Sequence, residues 1–452
     1  MSDKKKNTGA FDREFVWHPF TQMKEYEGKD PIVIERGEGA YLIDSEGRRY
    51  IDGVSSLWVN IHGHRVPEID NAIKEQVDSL GHSTLLGVTN PPAALLAKEL
   101  IDICPPGLRK VFYSGVGASA VEVALKMAFQ YWQHKGRPGK TKFVSLGNAY
   151  HGDTLGAVSV GGIDLFHSTF KPLLFETYQA PSYYCYRCPL GKSYPACGIE
   201  CADVLGKILA DHCDEIAGVV LEPYVQAAGG MIVSPPGYLE RVRGYCDTYG
   251  VLLILDEVAT GFGRTGRMFA CAHDGVTPDI LVIGTGMTGG YLPLSATITT
   301  EDVYDAFLGE YEEFKTFYHG HSYAGNPLAC AASLGNLAAF KNYDTLRNLK
   351  EKIEYMEEEL REFSGLKHVG DVRSKGLMAG IELVLDKDTK EPYPARMKMG
   401  SRVADEALKE EVLIRPLGNV VVLMPPLGIP MQDLKKLVRA TYNSIKRATE
   451  AA

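Results

Sequence analysis

Two adjacent acidic residues, Asp256 and Glu257, follow an apolar, β-branched run that begins at Val251. Such a run predicts a buried parallel strand, and ligands of open α/β sheets bind beyond the carboxyl ends of their strands. A carboxylate there can pair with the protonated nitrogen of a pyridine ring, which then accepts electrons from a carbanion. The alternative is a strand-end aspartate that only caps the next turn.

A second candidate is the glycine-containing turn at residues 114–118, which opens an apolar helical stretch. The free amides at a helix start, together with the helix dipole, attract phosphate. The alternative is a tight turn without a ligand, which a pair of glycines marks more often. The functional interpretation predicts a phosphate on the backbone amides of Gly117 and Ala118.

A third candidate is a group of cysteines in a loop rich in tyrosine and proline, with the spacing C-x2-C-x8-C-x3-C: Cys185, Cys188, Cys197 and Cys201. Two short cysteine pairs can hold a tetrahedral zinc ion, which would staple a long loop. Free thiols in a reducing cytosol are the alternative. Zinc is therefore a candidate metal for these four residues.

The composition is that of an ordinary globular chain. Its 452 residues, of which 45% are apolar and 23% charged, are enough for a large core and more than one domain. A formal net charge of −9 argues against nucleic acid or an anionic membrane as a partner. There is no apolar run of about 20 residues to span a bilayer, and the polar first residues have no hydrophobic signal core. We expect a cytoplasmic protein.

These candidate residues lie on a regular alternation of strands and helices. We predict a disordered tip to about Phe11, short strands over residues 32–51, and then strands at 110–113, 143–146, 218–222, 251–256 and 280–284 between helical stretches. This alternation predicts a mostly parallel sheet covered on both faces. Toward the end, helices at 343–363 and 397–411 stand beside strands at 376–383 and 419–424.

The segment from Asp256 to Gly266, DEVATGFGRTG, resembles the signature of the class III aminotransferases, which use pyridoxal phosphate. Further segments resemble the branch that converts 8-amino-7-oxononanoate to 7,8-diaminononanoate for biotin: WHPFTQM from 17, SSLW from 55, IHGH from 61, YHGDT from 150, HGHSY from 319, GNPLA from 325, IRP from 414 and LMPP from 423. The resemblance runs in order over almost the whole chain.

The resemblance implies the fold-type I architecture of pyridoxal-phosphate transferases. That architecture has an α/β large domain with a mostly parallel sheet and a smaller α+β domain. We predict the large cofactor-binding domain at residues 62–336 and the small domain at 337–452, with residues 1–61 joining the small domain.

The same resemblance implies the residues that hold the cofactor. Asp256 would pair with the pyridine nitrogen, Tyr150 and Val258 would lie on the two faces of the ring, and Gln226 would reach its phenolic oxygen. Ser322 corresponds to a residue that binds the phosphate held by the neighbouring subunit, so the resemblance implies a homodimer.

The substrate residues also follow from the resemblance. Arg415 would grip the carboxylate of 8-amino-7-oxononanoate in a bidentate manner, and further positions would contact the rest of the substrate: Phe20, Leu57, Trp58, Tyr150 and Gly320. Relatives that take S-adenosylmethionine as amino donor carry tyrosine at positions 20 and 422 and tryptophan at 57. This chain has Phe20, Val422 and Leu57 there, so lysine is an alternative donor.

Two departures from the family pattern affect the chemistry. Gly115, Val116 and Ala118 stand where polar side chains are usual, which predicts a retained but weaker phosphate site. At the position of the lysine that forms a Schiff base with the cofactor, and that moves the proton, stands Thr285. No lysine close in sequence can replace it, since the nearest downstream is Lys315. A lysine-to-threonine change needs one base, so a laboratory variant and a natural non-enzymatic descendant both stay open.

The sequence thus predicts a biotin-branch aminotransferase scaffold that binds pyridoxal phosphate noncovalently and transaminates poorly. The alternatives are a broader ω-amino acid or amine transaminase, or a cofactor-binding pseudoenzyme.

Overall fold

The computed structural model describes residues 8–450. In chain order the strands are β1 (Ile34–Glu38), β2 (Tyr41–Asp44), β3 (Arg49–Asp52), β4 (Leu108–Ser114), β5 (Lys142–Leu146), β6 (Tyr178–Ala180), β7 (Ile216–Leu221), β8 (Val225–Gln226), β9 (Ile232–Val233), β10 (Leu252–Asp256), β11 (Ile280–Ile283), β12 (Ser295–Thr300), β13 (Val369–Lys375), β14 (Met378–Asp386), β15 (Glu391–Pro392), β16 (Val412–Leu413) and β17 (Val420–Leu423).

The α-helices are α1 (Thr8–Phe15), α2 (Met23–Tyr26), α3 (Ser55–Trp58), α4 (Pro67–Ser79), α5 (Pro91–Ile103), α6 (Gly117–His134), α7 (Leu155–Ser159), α8 (Asp164–His167), α9 (Glu200–His212), α10 (Tyr238–Tyr249), α11 (Glu301–Asp305), α12 (Pro327–Asn342), α13 (Thr345–Phe363), α14 (Met399–Lys409) and α15 (Met431–Glu450). Both α5 and α12 begin at an Asn-Pro pair. The asparagine side chain accepts a hydrogen bond from the amide three residues on, and proline fixes the first helical φ.

The largest sheet has seven strands in the order β4-β12-β11-β10-β7-β5-β6. Strand β12 is antiparallel to both of its neighbours, and the other adjacent pairs are parallel. Alternate residues of the central strands face two separate cores. Ile254 and Val282 pack with α6 on one face, whereas Leu253 and Leu281 belong to the larger core on the other. The predicted α/β class with a mostly parallel sheet is confirmed.

The first and last parts of the chain meet in a second sheet. Strands β1, β2 and β3 are antiparallel, and β16 adds to β3 in parallel, with Ile51 opposite Val412. A further sheet joins β13, β14, β15 and β17. The pairing of β3 with β16 supports our proposal that residues 1–61 join a small domain at 337–452, beside a large domain at 62–336.

One local expectation needs correction. Residues up to Asn7 lie outside the described part of the chain, but Thr8–Phe15 forms a helix rather than a disordered tip. Separately, the short element α3, Ser55–Trp58, is a left-handed turn in which every φ is positive. Between residues 8 and 450, no helix is both long enough and apolar enough to cross a membrane.

Candidate active site

Asp256 lies at the carboxyl end of β10, buried and held by two contacts. Its Oδ1 accepts a hydrogen bond from the Val258 amide at 3.0 Å, and its Oδ2 lies 2.7 Å from Nδ1 of His151. The sequence offered a capping role and a ligand role as alternatives. One oxygen caps the turn and the other is oriented by a buried imidazole, so the capping role is observed and the ligand role stays a prediction.

His151 was not predicted as a site residue, although it follows Tyr150 in a quoted motif. It is buried, and its Nε2 has no hydrogen-bond partner in the described part of the chain. Its hydrogen bond to Asp256 and the charges of Asp256 and Glu222 outweigh burial and raise the pKa of His151. An imidazole bonded to a carboxylate orients that carboxylate and favours its charged form.

A second buried carboxylate, Glu222, directly follows β7 at the same edge of the sheet. It accepts hydrogen bonds from the amides of Tyr150 at 3.1 Å and Ala227 at 2.9 Å. Burial raises the pKa of Glu222 to about 7, against the opposing effect of His151. The sequence analysis did not predict Glu222 as a site residue. It could have done so, because Glu222 ends a predicted strand, and adjacent parallel strands bring their last residues to one edge of the sheet.

Val258, Gly117 and the turn after β11 meet in close packing. A Cβ on Gly117 would stand 2.7 Å from Cγ1 of Val258, and a Cβ on Gly284 would stand 3.1 Å from the same atom. Thr285 follows Gly284, and its hydroxyl donates to the carbonyl of Val258 at 2.6 Å. The structure thus brings three of the predicted cofactor residues together, and this approach leaves no room for a side chain at 117 and little at 284.

The start of α6 fits a phosphate as the sequence predicts. No residue between 8 and 450 accepts a hydrogen bond from the amides of Gly117 and Ala118, and the helix runs for 18 residues behind them. A Cβ on Gly152 would stand 2.3 Å from that of Ala118, so the loop after Tyr150 touches this helix start. The hydroxyl of Ser119 is already used by the backbone of Val116.

Tyr150 belongs to an aromatic group that the sequence did not predict. Its ring is parallel to that of His167 at 6.5 Å between centroids, and it meets Phe166 edge-on at 6.3 Å. Phe20 contacts the same Phe166 ring, with centroids 5.3 Å apart. The hydroxyl of Tyr150 donates to Asp153 at 2.8 Å, and burial raises the pKa of that hydroxyl. Phe166 therefore links the predicted ring residue to a predicted substrate residue.

Gln226 is fully buried, and its side-chain amide makes two hydrogen bonds. Its oxygen accepts from the Ser182 hydroxyl at 2.6 Å, and its nitrogen donates to the Gly147 carbonyl at 2.9 Å. One N–H of the amide remains for a ligand.

The segment that leads into Leu57 and Trp58 contacts the segment that leads into Arg415. Leu57 is half exposed, and the amide of Gly53 donates to the Leu413 carbonyl at 2.9 Å. Arg415 is exposed and forms no ion pair with any described residue. Val422 is fully buried in β17, so its side chain is not a surface that a donor can touch.

Gly320 and Ser322 lie in an exposed segment, residues 318–325, which contacts a second exposed segment at residues 80–88. The rings of His82 and Tyr323 are 4.9 Å apart, and a Cβ on Gly325 would stand 2.4 Å from the Leu85 side chain. Together the two segments expose a set of large apolar side chains, which we call the apolar patch: Leu80, Leu85, Leu86, Val88, Tyr318 and Tyr323. A contiguous patch of this kind is typical of an interface.

The structure does not support the zinc site predicted from the cysteine spacing. The four cysteines line one small cavity of about 20 Å³, but no three His, Cys, Asp or Glu side chains within residues 8–450 are arranged to hold a metal. Burial raises the pKa of Cys185, and that of Cys201 to about 11. At these two cysteines burial thus disfavours the thiolate, which is the form that binds zinc.

Comparisons with known proteins agree with this geometry. Residues 23–445 match the family model described as aminotransferase class-III. A Geobacter sulfurreducens protein named adenosylmethionine-8-amino-7-oxononanoate aminotransferase is 56% identical over 97% of both chains. The crystal structure of the Methanocaldococcus jannaschii protein of the same name aligns with a TM-score of 0.94 at 49% identity, over 98% of this chain and 99% of that one. A PLP-bound amine transaminase from an uncultivated Pseudomonas species aligns at 0.91 and 38% identity, over 96% of this chain and 99% of that one.

Proposed function

The chain belongs to the class III aminotransferases, and from this premise we propose a specific function and a specific defect. The function is that of the biotin-branch enzyme, which converts 8-amino-7-oxononanoate to 7,8-diaminononanoate. The defect is that pyridoxal phosphate binds without a covalent bond and turnover is slow. One observation carries the defect: the side chain at 285 ends in a hydroxyl that donates to Val258, and no amine is there.

The cofactor, when bound, supplies an electron sink for the carbon that loses a proton. We propose that Asp256 holds the ring nitrogen in its charged form, with His151 fixing the carboxylate from behind. Val258 and Tyr150 would lie on the two ring faces. The amides of Gly117 and Ala118 would bind the phosphate. Gln226 would use its remaining N–H for the phenolic oxygen.

We propose that Arg415 selects the acid. Its exposed guanidinium has no ion pair among the described residues, so it is available to a carboxylate. Leu57, Trp58 and Phe20 would cover the methylene chain, and Gly320 would leave room for it. The amino donor is either S-adenosylmethionine, which the relatives' names specify, or lysine, which the apolar Phe20 and Leu57 favour.

We propose that two copies pair through the apolar patch, because Ser322 lies in the same segment and is exposed. Leu86 is 89% exposed, the largest exposed fraction in the apolar patch, so a substitution there tests the pairing most directly. Leu86→Glu should produce monomers in size-exclusion chromatography and release cofactor, whereas Leu385→Glu on β14 should do neither. A dimeric Leu86→Glu protein would remove the apolar patch from this role.

Two measurements test the proposal: whether the cofactor is covalently bound to the protein, and, separately, how tightly the substrate binds. The first concerns the cofactor. Pyridoxal phosphate should bind, show the absorbance of the free aldehyde, and leave on dialysis after borohydride treatment. A stable protein adduct after reduction would contradict the proposal, because another lysine would then reach the aldehyde.

Arg415→Ala should raise the Kd of 8-amino-7-oxononanoate on the loaded protein by about 10–100-fold, since a charged hydrogen-bond partner is lost. Arg402→Ala, at an exposed position of α14, is the matched control.

A broader amine transaminase is the second candidate, since the amine transaminase aligns over nearly the full chain. It would bind simple amines and show no effect of Arg415→Ala.

A further inference from the structure

Four consecutive residues that are not glycine adopt left-handed backbone angles. The φ values of Ser55, Ser56, Leu57 and Trp58 are 51°, 50°, 73° and 69°. Hydrogen bonds from the Trp58 amide to the Val54 carbonyl, at 2.7 Å, and from Val59 to Ser55, at 3.0 Å, close the turn. Each such residue brings its Cβ too close to the following carbonyl, so this turn forms only where its surroundings hold it.

Arg264 holds this turn from beneath. It is 1% exposed, and its Nη1 donates to the Ser55 hydroxyl at 3.2 Å and the Pro425 carbonyl at 3.0 Å. Its Nη2 donates to the carbonyls of Trp58 at 3.1 Å and Asn60 at 2.8 Å. No carboxylate in the described chain forms an ion pair with it. A buried guanidinium without a counter-ion is costly, so its role lies in these four contacts.

Three further hydrogen bonds fix the turn. The carboxylate of Asp52 accepts hydrogen bonds from the amide of Ser56 at 2.8 Å and from its hydroxyl at 2.7 Å. The Ser55 hydroxyl donates to the Met424 carbonyl at 2.7 Å. The turn is therefore tied to Arg264, Asp52 and the segment after β17 at once.

The left-handed turn decides where two side chains point. It leaves Leu57 50% exposed and Trp58 half-buried, next to the segment of Arg415. We propose that Arg264 is a positioning residue that sets the chain-length preference of the enzyme, by holding Leu57 and Trp58 against the methylene chain of the acid. This inference rests on the proposed function, since it needs a long-chain carboxylate as substrate.

The conformation is tested by a pair of substitutions measured by urea denaturation. Leu57→Gly should be more stable than Leu57→Ala, by roughly fivefold or more in the folding equilibrium constant, because glycine adopts positive φ without strain. At Leu95, which is 55% exposed on the right-handed helix α5, the order should reverse. Greater stability of Leu57→Ala would overturn the inference.

Selectivity is tested on the protein loaded with pyridoxal phosphate. The Kd is measured for 8-amino-7-oxononanoate and for a homologue with fewer methylenes but the same ends. Arg264→Lys should weaken the long acid about tenfold and the short one little, because lysine cannot reach four acceptors. The Kd of the cofactor should stay within about twofold of its original value.

Ser55→Ala, which removes the hydroxyl that accepts from Arg264 and donates to the Met424 carbonyl but keeps Arg264 itself, should show the same trend if Arg264→Lys fails to fold. Equal weakening of both acids, or loss of the cofactor, would overturn the positioning role. If the unmodified protein binds neither acid, the proposed function fails. If it binds them and the preference stays unchanged in both variants, only the positioning role fails.

Discussion

The ends of strands β10 and β11 lie side by side in the sheet, and they differ in what they offer a ligand. The end of β10 carries Asp256, oriented by His151 and by the amide of Val258. The end of β11 leads into a turn where the Thr285 hydroxyl donates to the carbonyl of Val258. Under the proposed function, the first would supply a charge for binding, and the second would lack the amine for turnover. Binding and catalysis would then depend on different strand ends, so one substitution could separate them.

The largest effect should come from repairing the β11 end. Thr285→Lys should raise transamination of 8-amino-7-oxononanoate by at least about 100-fold, since a positioned base alone contributes roughly 10²–10⁴-fold. It should also let the cofactor form a Schiff base with the protein, so that borohydride reduction links the two covalently. The measurement is product formation, with S-adenosylmethionine and with lysine as donors.

Thr285→Met is the matched control, because it fills the same space without an amine, and it should stay inactive. If Thr285→Lys gains nothing with either donor, the pseudoenzyme interpretation is favoured. The altered turn at Gly115, Val116 and Ala118 would then be the next segment to restore.

The β10 end should govern binding instead. Asp256→Asn should raise the Kd of pyridoxal phosphate by about 10–100-fold, because the charged partner of the ring nitrogen is lost while the shape of the side chain is kept. Equilibrium titration measures it, with Asp211→Asn on an exposed position of α9 as control. An unchanged Kd would remove Asp256 from this role and erase the contrast between the two strand ends.

Glu222 supports the β10 end from the neighbouring strand, and its effect depends on pH. Its pKa is about 7 in the folded protein against 4.5 ordinarily, so between these values the folded state holds a proton that the unfolded state releases. The contribution of Glu222 to stability is therefore fully present below about pH 4.5 and is lost as pH rises through about 7, by up to about 3 kcal/mol. His151, whose pKa is also raised, acts in the same direction.

Glu222→Gln stays neutral, so it should flatten this loss of stability between pH 5 and about 7.5. Denaturation by urea at several pH values measures the change, and the difference between the two slopes is the contribution of Glu222. An identical slope in both proteins would mean that Glu222 is ionised throughout this range.

The sequence predicted the strand ends well and the contacts between distant segments poorly. Apolar runs located β10 and β11, because a buried parallel strand must be apolar on both faces. The partner of Asp256 is 105 residues away, and the contact between Arg264 and Ser55 spans 209. No local pattern encodes such pairs or the positive φ values of Ser55–Trp58, which depend on them. The cysteine spacing did predict that the four thiols lie around one cavity, but the zinc site that it also predicted is not supported, because no three metal-binding side chains among residues 8–450 are arranged to hold an ion.

The smallest effect concerns how the turn after β11 holds its shape without the lysine. Thr285→Val keeps the volume and removes the hydroxyl that bonds to Val258 at 2.6 Å, so the free energy of unfolding should fall by about 1 kcal/mol. Thr248→Val on α10 is the control, because that hydroxyl also donates to a backbone carbonyl but lies at an exposed site, where water replaces the bond. A loss of stability at 285 but not at 248 would mean that the threonine hydroxyl itself stabilises the turn after β11. The turn would then keep its shape against Val258 although the lysine amine is absent. Equal stability of Thr285→Val and the unmodified protein would instead assign the shape of the turn to the packing of Gly117, Val258 and Gly284 alone.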